Sequence, residues 1–165
     1  MQLLAHEAFT LNGWRQAATQ SERQWGEEVR DMDENEMISR GMEVFEECYR
    51  GVVPMPAVDA REFSGMTMKM FNDFWGDGRL SFREKRLIVL GILAGSGADP
   101  SLFTTHAKSA LRNGEMTADE ARAVVLMALP YVGFPKASPI FVATEMLIAE
   151  ESKQESGTDA GATKS

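Results

Sequence analysis

The chain has 165 residues, a charged fraction of 25% and a formal net charge of −8, so it can bury one hydrophobic core and is acidic overall. The acidic balance argues against a nucleic-acid or anionic-membrane partner, since both need clustered positive charge. The single cysteine, Cys48, excludes an intramolecular disulfide and a CxxC redox motif. No apolar run has the length of a membrane span and the first residues lack a basic leader, so we expect a cytoplasmic protein.

Helical periodicity dominates the chain, and no segment shows the alternation typical of a strand. This pattern predicts an all-α protein with a compact multi-helix domain of about six or seven helices. We predict a helical arm over residues 1–35 and the main domain over residues 36–150. Residues 151–165 are polar and small, so we expect a disordered tail there.

The first two helices of the main domain have apolar stripes at helical spacing. One is predicted to begin near Asn35, to carry Cys48 on its buried stripe and to end at Gly51. The next is predicted to open at Asp59, with Glu62 three residues later as a weak capping box. We expect its core-facing residues to be Phe63, Met66, Met70, Phe71 and Phe74.

The later helices have clear start signals. These are Ser81 with Glu84, Asp99 with Pro100, Thr117 with Glu120, and Pro135. The helix after Ser81 is apolar almost all round, which predicts a central position. Pro130 is expected to kink or end the helix that starts at Thr117.

The order of these signals resembles the carboxymuconolactone decarboxylase family over roughly residues 40–150. The segments that carry the resemblance are RGMEVFEECYRG, FW, GDGRLSFREKRLIVLGIL and LFTTHAKSALRNGEMTADEARAVVLMALPYVGFPKA. The resemblance implies an alkyl hydroperoxidase D-like fold that assembles as a homotrimer or homohexamer. It also implies decarboxylation, or a related lyase or isomerase reaction, of a small carboxylated lactone or keto acid without a metal or organic cofactor.

The sequence departs from both branches of that family. The peroxidase branch needs C-x-x-C before its histidine, but Asp99 and Leu102 stand at those positions, so its disulfide chemistry has no sulfur atoms. In the decarboxylase branch an arginine is usual where Asp77 stands, and a cysteine where Val132 stands. Arg79, two residues after Asp77, is a candidate replacement for the missing cation.

His106 is the main candidate for chemistry. Helix position alone leaves three roles open: a structural core histidine, a metal ligand or a proton carrier. Leu102, Phe103 and Ala110 share its helix face, which predicts an apolar setting for the ring. Because the chain has only two histidines and no His-x-x-x-His or Glu-x-x-His spacing includes His106, we expect no metal site. The family resemblance favours catalysis, with an imidazolium that protonates carbon after CO2 leaves.

Four further residues are candidates for substrate binding. Lys85 belongs to a basic cluster at a helix start, where the helix dipole disfavours cations, so a role in holding a carboxylate is plausible for it and for Arg79. The other members, Arg83 and Arg86, are expected to be solvated. Tyr131 offers a hydroxyl and Trp75 an aromatic wall.

Two alternative functions stay open at this point. The altered WGDGRL loop and the missing cysteine are also compatible with a non-catalytic oligomeric binding or accessory protein on the same scaffold. A biosynthetic enzyme with a larger cyclic substrate is the other alternative. An accessible cavity beside His106 would favour an enzyme.

Overall fold

A computed structural model describes residues 31–162, with side chains described to Gln154. Every regular element in this range is helical, which confirms the all-α prediction; the predicted arm lies outside the described residues apart from 31–35. The helices are α1 (Glu34–Tyr49), α2 (Phe63–Met70), a π-helical turn (Phe71–Trp75), α3 (Phe82–Ser96), α4 (Pro100–Arg112), α5 (Ala118–Val132) and α6 (Phe134–Ala162).

The predicted capping motifs account for where α3, α4 and α5 begin. Ser81 and Thr117 each form a reciprocal capping box, and the Asp99 carboxylate accepts from the Ser101 amide. The start predicted near Asn35 agrees with α1, which begins at Glu34, although Asn35 is not its cap, and the start predicted at Asp59 was wrong. The box that opens α1 is formed by Asp33, and the Asp59 carboxylate caps a turn by accepting from the Arg61 amide before α2 begins.

Two apolar clusters form the interior. The first packs α1 against α2 and the π-helical turn, with Phe45, Cys48, Met68, Phe71 and Trp75 buried. The second joins α3, α4, α5 and α6 around Leu90, Phe103, Ala107 and Val125. The start of α3 and the middle of α4 lie where the two clusters meet, since Arg86 on α3 reaches both Cys48 on α1 and His106 on α4.

The predicted buried face of α2 was largely wrong. Of the five residues expected in the core only Phe71 is buried; Phe63 is 82% exposed and Phe74 is 68% exposed. Met68 and Trp75 are buried instead. Both faces have apolar residues at helical spacing, so periodicity alone cannot select one. The docking of α1 selects the face that continues into the wider π-helical turn.

The helix after Ser81 is only partly central. Leu90 is fully buried in the second cluster, whereas Ile88 and Ile92 are exposed. The side of α3 that carries these two isoleucines therefore faces away from the interior of the chain.

The C-terminal part of the chain is more helical than we predicted. α5 continues through Pro130 to Val132 and ends at Gly133, whose φ of 77° suits glycine. α6 then extends to Ala162, through the segment expected to be disordered from Glu151. Lys108 and Arg112 on α4 both form ion pairs with Glu151, so α6 is attached to the fold beyond the apolar core. Within the described residues, no helix combines the length and apolarity that crossing a bilayer requires.

Replacing Gly41 by alanine should destabilise the fold by about 1–3 kcal/mol. A Cβ atom at Gly41 would lie 1.9 Å from the Met68 carbonyl oxygen, so α1 and α2 would have to separate. Gly91→Ala is the matched control, because nothing lies within 4 Å of its Cβ position and alanine favours a helix by up to about 1 kcal/mol. Urea unfolding of both variants measures the difference; equal stabilities would contradict the close helix contact.

Candidate functional site

A cluster of polar and aromatic side chains lies at the junction of the two apolar clusters. It consists of Tyr49 from α1, Trp75 from the π-helical turn, Arg86 from α3, His106 from α4 and Glu115 from the α4–α5 loop. The apolar setting expected for His106 was therefore wrong, since polar and aromatic groups contact its ring and Leu102 is exposed. We call this set the His106 cluster.

Arg86 is the central residue of the His106 cluster. Its side chain has no exposed surface. Its Nε and Nη2 atoms donate to the two Glu115 carboxylate oxygens at 2.9 and 3.0 Å, and Nη2 also donates to the Cys48 carbonyl at 2.7 Å. Burial alone would raise the pKa of Glu115, but hydrogen bonds from Arg86 and Asn113 hold it below its usual range. This position was expected to be solvated, and that expectation was wrong.

Arg86 also determines which nitrogen of His106 carries the proton. Its Nη1 atom lies 3.1 Å from Nδ1 of His106. A guanidinium can only donate, so Nδ1 must present its lone pair and the neutral ring carries hydrogen on Nε2. Nε2 lies 3.4 Å from the Tyr49 hydroxyl oxygen and therefore donates to it. That distance is long for a hydrogen bond, so the contact is a weak one.

The same surroundings favour the neutral form of His106. Burial of the ring and then the positive charge of Arg86 lower the pKa of His106 from 6.5 to about 4, although the Glu115 carboxylate acts in the opposite direction. The imidazole is therefore neutral near pH 7, which differs from the imidazolium that the family resemblance led us to expect.

We expect His106 to stay neutral down to about pH 5 and to titrate near pH 4. Because its pKa is lower in the folded than in the unfolded chain, the unfolded chain binds more protons between pH 6.5 and 4. Stability should therefore fall over that window as the pH is lowered, by on the order of 3 kcal/mol from this residue.

Long-range ¹H–¹⁵N NMR spectra across a pH series measure this titration. The chain has two histidines, so a His6→Gln variant leaves the His106 ring signals alone in the spectrum. The Nε2–H tautomer gives its own pattern of nitrogen shifts. A His106 ring that titrates near pH 6.5, or one that carries its proton on Nδ1, would contradict the geometry.

Trp75 packs on one side of the cluster. Its ring lies nearly parallel to the His106 imidazole, with centroids 6.1 Å apart and an interplanar angle of 10°. The Arg86 guanidinium carbon lies 4.9 Å from the Trp75 ring centroid, within cation–π range. Trp75 therefore packs against both Arg86 and His106, and the Arg86 guanidinium determines the tautomer of His106.

Lys85 is joined to the cluster through Trp75. Its ammonium donates to the Trp75 carbonyl at 2.7 Å and to the Asp77 carbonyl. These residues line a cleft of about 460 Å³, together with Arg40, Glu43 and Glu47. Burial lowers the pKa of Lys85, while the Asp77 carboxylate opposes that effect. An ammonium has three N–H groups, so one remains for an anion that enters the cleft.

Arg79, the candidate replacement for the missing cation, is paired with Asp77. Its backbone amide donates to Asp77 Oδ1 at 2.9 Å and its Nε donates to Oδ2 at 2.6 Å. The Asp77 carboxylate is 10% exposed, and hydrogen bonds from Arg79 contribute to lowering its pKa against the effect of burial. The aspartate and the arginine of WGDGRL thus bind each other.

Tyr131 lies apart from the His106 cluster. It is 79% exposed and lines a different groove of about 550 Å³ between α3 and α5. The Arg83–Glu120 ion pair lies on that groove, which no member of the His106 cluster lines. We therefore leave Tyr131 out of the candidate site.

The described residues contain no group of three or more His, Cys, Asp or Glu side chains that could hold a metal ion. Cys48 is fully buried, and burial as the main cause raises the pKa of its thiol to about 11. A protonated, inaccessible thiol is a poor nucleophile. Its structural role agrees with the position predicted for it on the buried stripe.

Tyr49, Arg86 and Glu115 were missed by the sequence reasoning. The Arg86 signal was available, since a cation five residues after a capping serine is unfavourable near a helix N-terminus, but three similar residues lie close to it in sequence. Tyr49 looked like an ordinary member of an apolar stripe. Glu115 lies in a loop that has no pattern of its own.

One comparison with known proteins identifies a relationship. The model of the carboxymuconolactone decarboxylase family matches residues 61–145. This range includes Trp75, Lys85, Arg86, His106 and Glu115 but not Tyr49. No curated protein and no solved structure gives a significant match to the chain.

Proposed function

The chain belongs to the carboxymuconolactone decarboxylase family, and from that premise we propose that it is a cofactor-independent lyase or isomerase. Its substrate class in this proposal is a small carboxylated lactone or keto acid. The family includes both decarboxylases and alkyl hydroperoxidase D-like members. Disulfide chemistry of the second type needs two cysteines, and this chain has one.

The observation that carries the proposal is the partly buried hydrogen-bonded chain Glu115–Arg86–His106–Tyr49. Arg86 donates to Glu115 on one side and to Nδ1 of His106 on the other, and the ring donates from Nε2 to the Tyr49 oxygen, so the successive donors from Arg86 to Tyr49 point the same way and reinforce one another. Fixed donors in a partly water-excluded site stabilise negative charge that develops on a substrate. This arrangement suits a reaction through an enolate-like anion.

Decarboxylation creates such an anion. The C–C bond to the carboxylate breaks, CO2 leaves, and the bonding electron pair is delocalised onto the neighbouring carbonyl oxygen as an enolate. Protonation of the carbon by water, which releases hydroxide, then completes the reaction. Because the His106 ring is neutral and Nδ1 is occupied by Arg86, we propose that it acts as a neutral donor, through Nε2–H to the Tyr49 oxygen, rather than as an imidazolium acid.

Lys85 is the proposed partner of the substrate carboxylate. Its ammonium is half-buried at the cleft and is held by two backbone carbonyls, which leaves one N–H for an anion. A charge-assisted hydrogen bond at this position would orient the carboxylate beside the aromatic wall of Trp75. Binding there lowers KM more than it raises kcat, because the carboxylate loses its charge as the reaction proceeds.

The test is CO2 release, and product isomerisation, from a panel of carboxylated γ-lactones and keto acids. His106→Gln should lower kcat by about 10²- to 10³-fold, the size of the loss when one oxyanion donor is removed, because it interrupts the hydrogen-bonded chain that ends at Tyr49. Lys85→Met should mainly raise KM. Lys136→Met is the matched control, because Lys136 also donates to a backbone carbonyl, that of Gly95, on another part of the surface. Turnover of no panel member, or full turnover by His106→Gln, would refute the proposal.

A non-catalytic binding or accessory role is the second candidate. The observation that favours it is that Arg86 occupies Nδ1 of His106 and the ring is neutral, as in many structural histidines. This alternative predicts that neither the parent protein nor His106→Gln converts any panel compound. His106→Gln would then differ from the parent only in stability.

We further propose that the chain forms a homo-oligomer, a trimer or a hexamer. α5 and α6 expose large apolar side chains on neighbouring positions, and a single chain rarely exposes so many. The residues concerned are Leu126, Met127, Phe134, Val142 and Met146. Native mass spectrometry of the full chain gives the stoichiometry, and a monomer at micromolar concentration would contradict this proposal.

A further inference from the structure

The hydroxyl proton of Tyr49 has no acceptor among the described residues. The Tyr49 oxygen is contacted by Nε2 of His106 at 3.4 Å, and no other hydrogen bond of that hydroxyl occurs in this part of the structure. Tyr49 is half-buried, so the group is not simply on the surface. A half-buried hydroxyl with an unused proton is available to a ligand.

The direction of the hydrogen bonds determines what Tyr49 can do. Glu115 accepts from Arg86, and Arg86 donates to Nδ1 of His106. The ring proton is then on Nε2, where it points to the Tyr49 oxygen. The phenol oxygen is therefore an acceptor toward His106, and its own hydrogen is directed to another partner. Successive donors of this kind polarise one another, which makes the terminal hydroxyl a stronger donor.

The ionisation of Tyr49 is compatible with a donor. Burial is the main cause that raises the pKa of Tyr49 to about 12, with Cys48 contributing and the Arg86 charge opposing. The hydroxyl thus keeps its hydrogen at neutral pH. The rings of Phe45 and Phe71 pack against Tyr49, with centroids 4.8 and 5.8 Å away, and restrict its orientation.

We propose that Tyr49 is a catalytic residue whose hydroxyl, oriented by His106, donates a hydrogen bond to the substrate oxygen that becomes an enolate. This inference rests on the proposed function and assigns a group outside the range that the family model matches. No proton leaves Tyr49 in this role. Arg86 and Glu115 act as positioning residues, since they hold His106 in the tautomer that leaves the Tyr49 proton free for substrate.

A planar oxyanion tests the proposal without knowledge of the substrate. 4-Nitrophenol is the probe, because its phenolate resembles an enolate and absorbs visible light. Bound to the parent protein, its apparent pKa should fall, since the site favours the anion. Tyr49→Phe should bind the phenolate about 10- to 100-fold more weakly, the usual loss for a hydrogen bond to a charged group. Tyr131→Phe removes a phenol oxygen from the separate groove and should bind like the parent.

Fluorine labelling provides a second measurement that keeps the side chain in place. The chain has two tyrosines, so 3-fluorotyrosine in the Tyr131→Phe background labels Tyr49 alone. Its ¹⁹F signal should shift when the phenolate binds, and the more acidic fluorophenol should bind the probe more tightly. This variant keeps the hydroxyl, so it decides the matter even if Tyr49→Phe fails to fold.

Failure of this inference can be told apart from failure of the proposed function. Weak binding by Tyr49→Phe with no turnover of any panel compound supports Tyr49 as an oxyanion donor and removes the lyase. Turnover by the parent with equal phenolate binding by Tyr49→Phe overturns Tyr49 and keeps the lyase. Absence of probe binding by the parent protein, or an unmoved ¹⁹F signal, also overturns the Tyr49 assignment.

Discussion

Replacing Arg86 by methionine should lower the free energy of unfolding by about 3–5 kcal/mol, the usual cost of removing one partner from a buried ion pair. Arg86 has no exposed side-chain surface and Glu115 is 8% exposed, so the carboxylate would remain buried without its cation. The Cys48 carbonyl and Nδ1 of His106 would each lose a donor as well. Urea unfolding monitored by circular dichroism measures the loss.

Two controls separate the buried pair from the presence of an arginine. Arg83→Met removes an ion pair with Glu120 whose partners are about half exposed, and should cost at most about 1 kcal/mol. The double variant Arg86→Met with Glu115→Gln should recover much of the loss, because no buried charge is left over. A similar cost for Arg83→Met and Arg86→Met would mean that the Arg86 pair is not buried in solution.

The Arg86 variant also has a spectroscopic consequence. Without the guanidinium, Nδ1 of His106 loses its donor and the nearby positive charge, so the pKa of His106 should rise toward 6.5. The rise will be partial, since burial, the larger cause of the lowered pKa, persists. An unchanged His106 titration in Arg86→Met would contradict the assigned tautomer.

Replacing Trp75 by alanine should cost about 3–5 kcal/mol, the range for removing a large buried aromatic ring. Trp75 is 7% exposed and its ring packs against Phe71, Phe82 and His106. It also lies 4.9 Å from the Arg86 guanidinium, so the cavity would open beside the buried ion pair. Water entering that cavity should raise the pKa of His106, because the cost of burying its charged form would decrease.

Phe74→Ala is the matched control for Trp75, since the two aromatic residues are adjacent in the π-helical turn and Phe74 is 68% exposed. Its cost in the isolated chain should be below about 1 kcal/mol. Thermal unfolding of both variants gives the comparison. A larger loss for Phe74→Ala than for Trp75→Ala would reverse the assignment of the buried face of α2.

Local sequence signals account for much of the helical framework. A serine or threonine with glutamate three residues later satisfies the free amides of a helix start within four residues, so Ser81 and Thr117 need no tertiary partner. Pro100 has the backbone angle of a first helical turn for the same local reason. These elements were predictable because the interactions that produce them are close in sequence.

Signals that depend on distant partners were predicted poorly. Apolar residues lie on both faces of α2, and the choice between the faces is made by α1, which approaches closely because residue 41 is a glycine. Where α6 continues past its apolar residues, Glu151 forms ion pairs with Lys108 and Arg112 of α4, a helix distant in sequence. The polar composition of residues 151–165 predicted disorder, because composition contains no information on ion pairs with α4.

The residues of the candidate site also fall into those that local signals identify and those that depend on distant partners. His106, Trp75 and Lys85 were identifiable from residue type, helix position and the family pattern, and these three do lie close to the cleft or the cluster. Arg86 has the same local appearance as Arg83, yet one is buried and the other is exposed. The difference is three residues on α3, which places one arginine toward α4 and the other toward α5.

The sequence by itself determined the helical class, most helix starts and the absence of two-cysteine chemistry, and it singled out His106 as the candidate for chemistry. These follow from side-chain chemistry and from interactions within one helical turn. Only the tertiary structure decided that His106 is neutral and which of its nitrogens carries the proton. It also decided that this N–H donates a hydrogen bond to a tyrosine oxygen. Tautomer and ionisation depend on burial and on charges brought together from α1, α3 and the α4–α5 loop, and no local pattern encodes those distances.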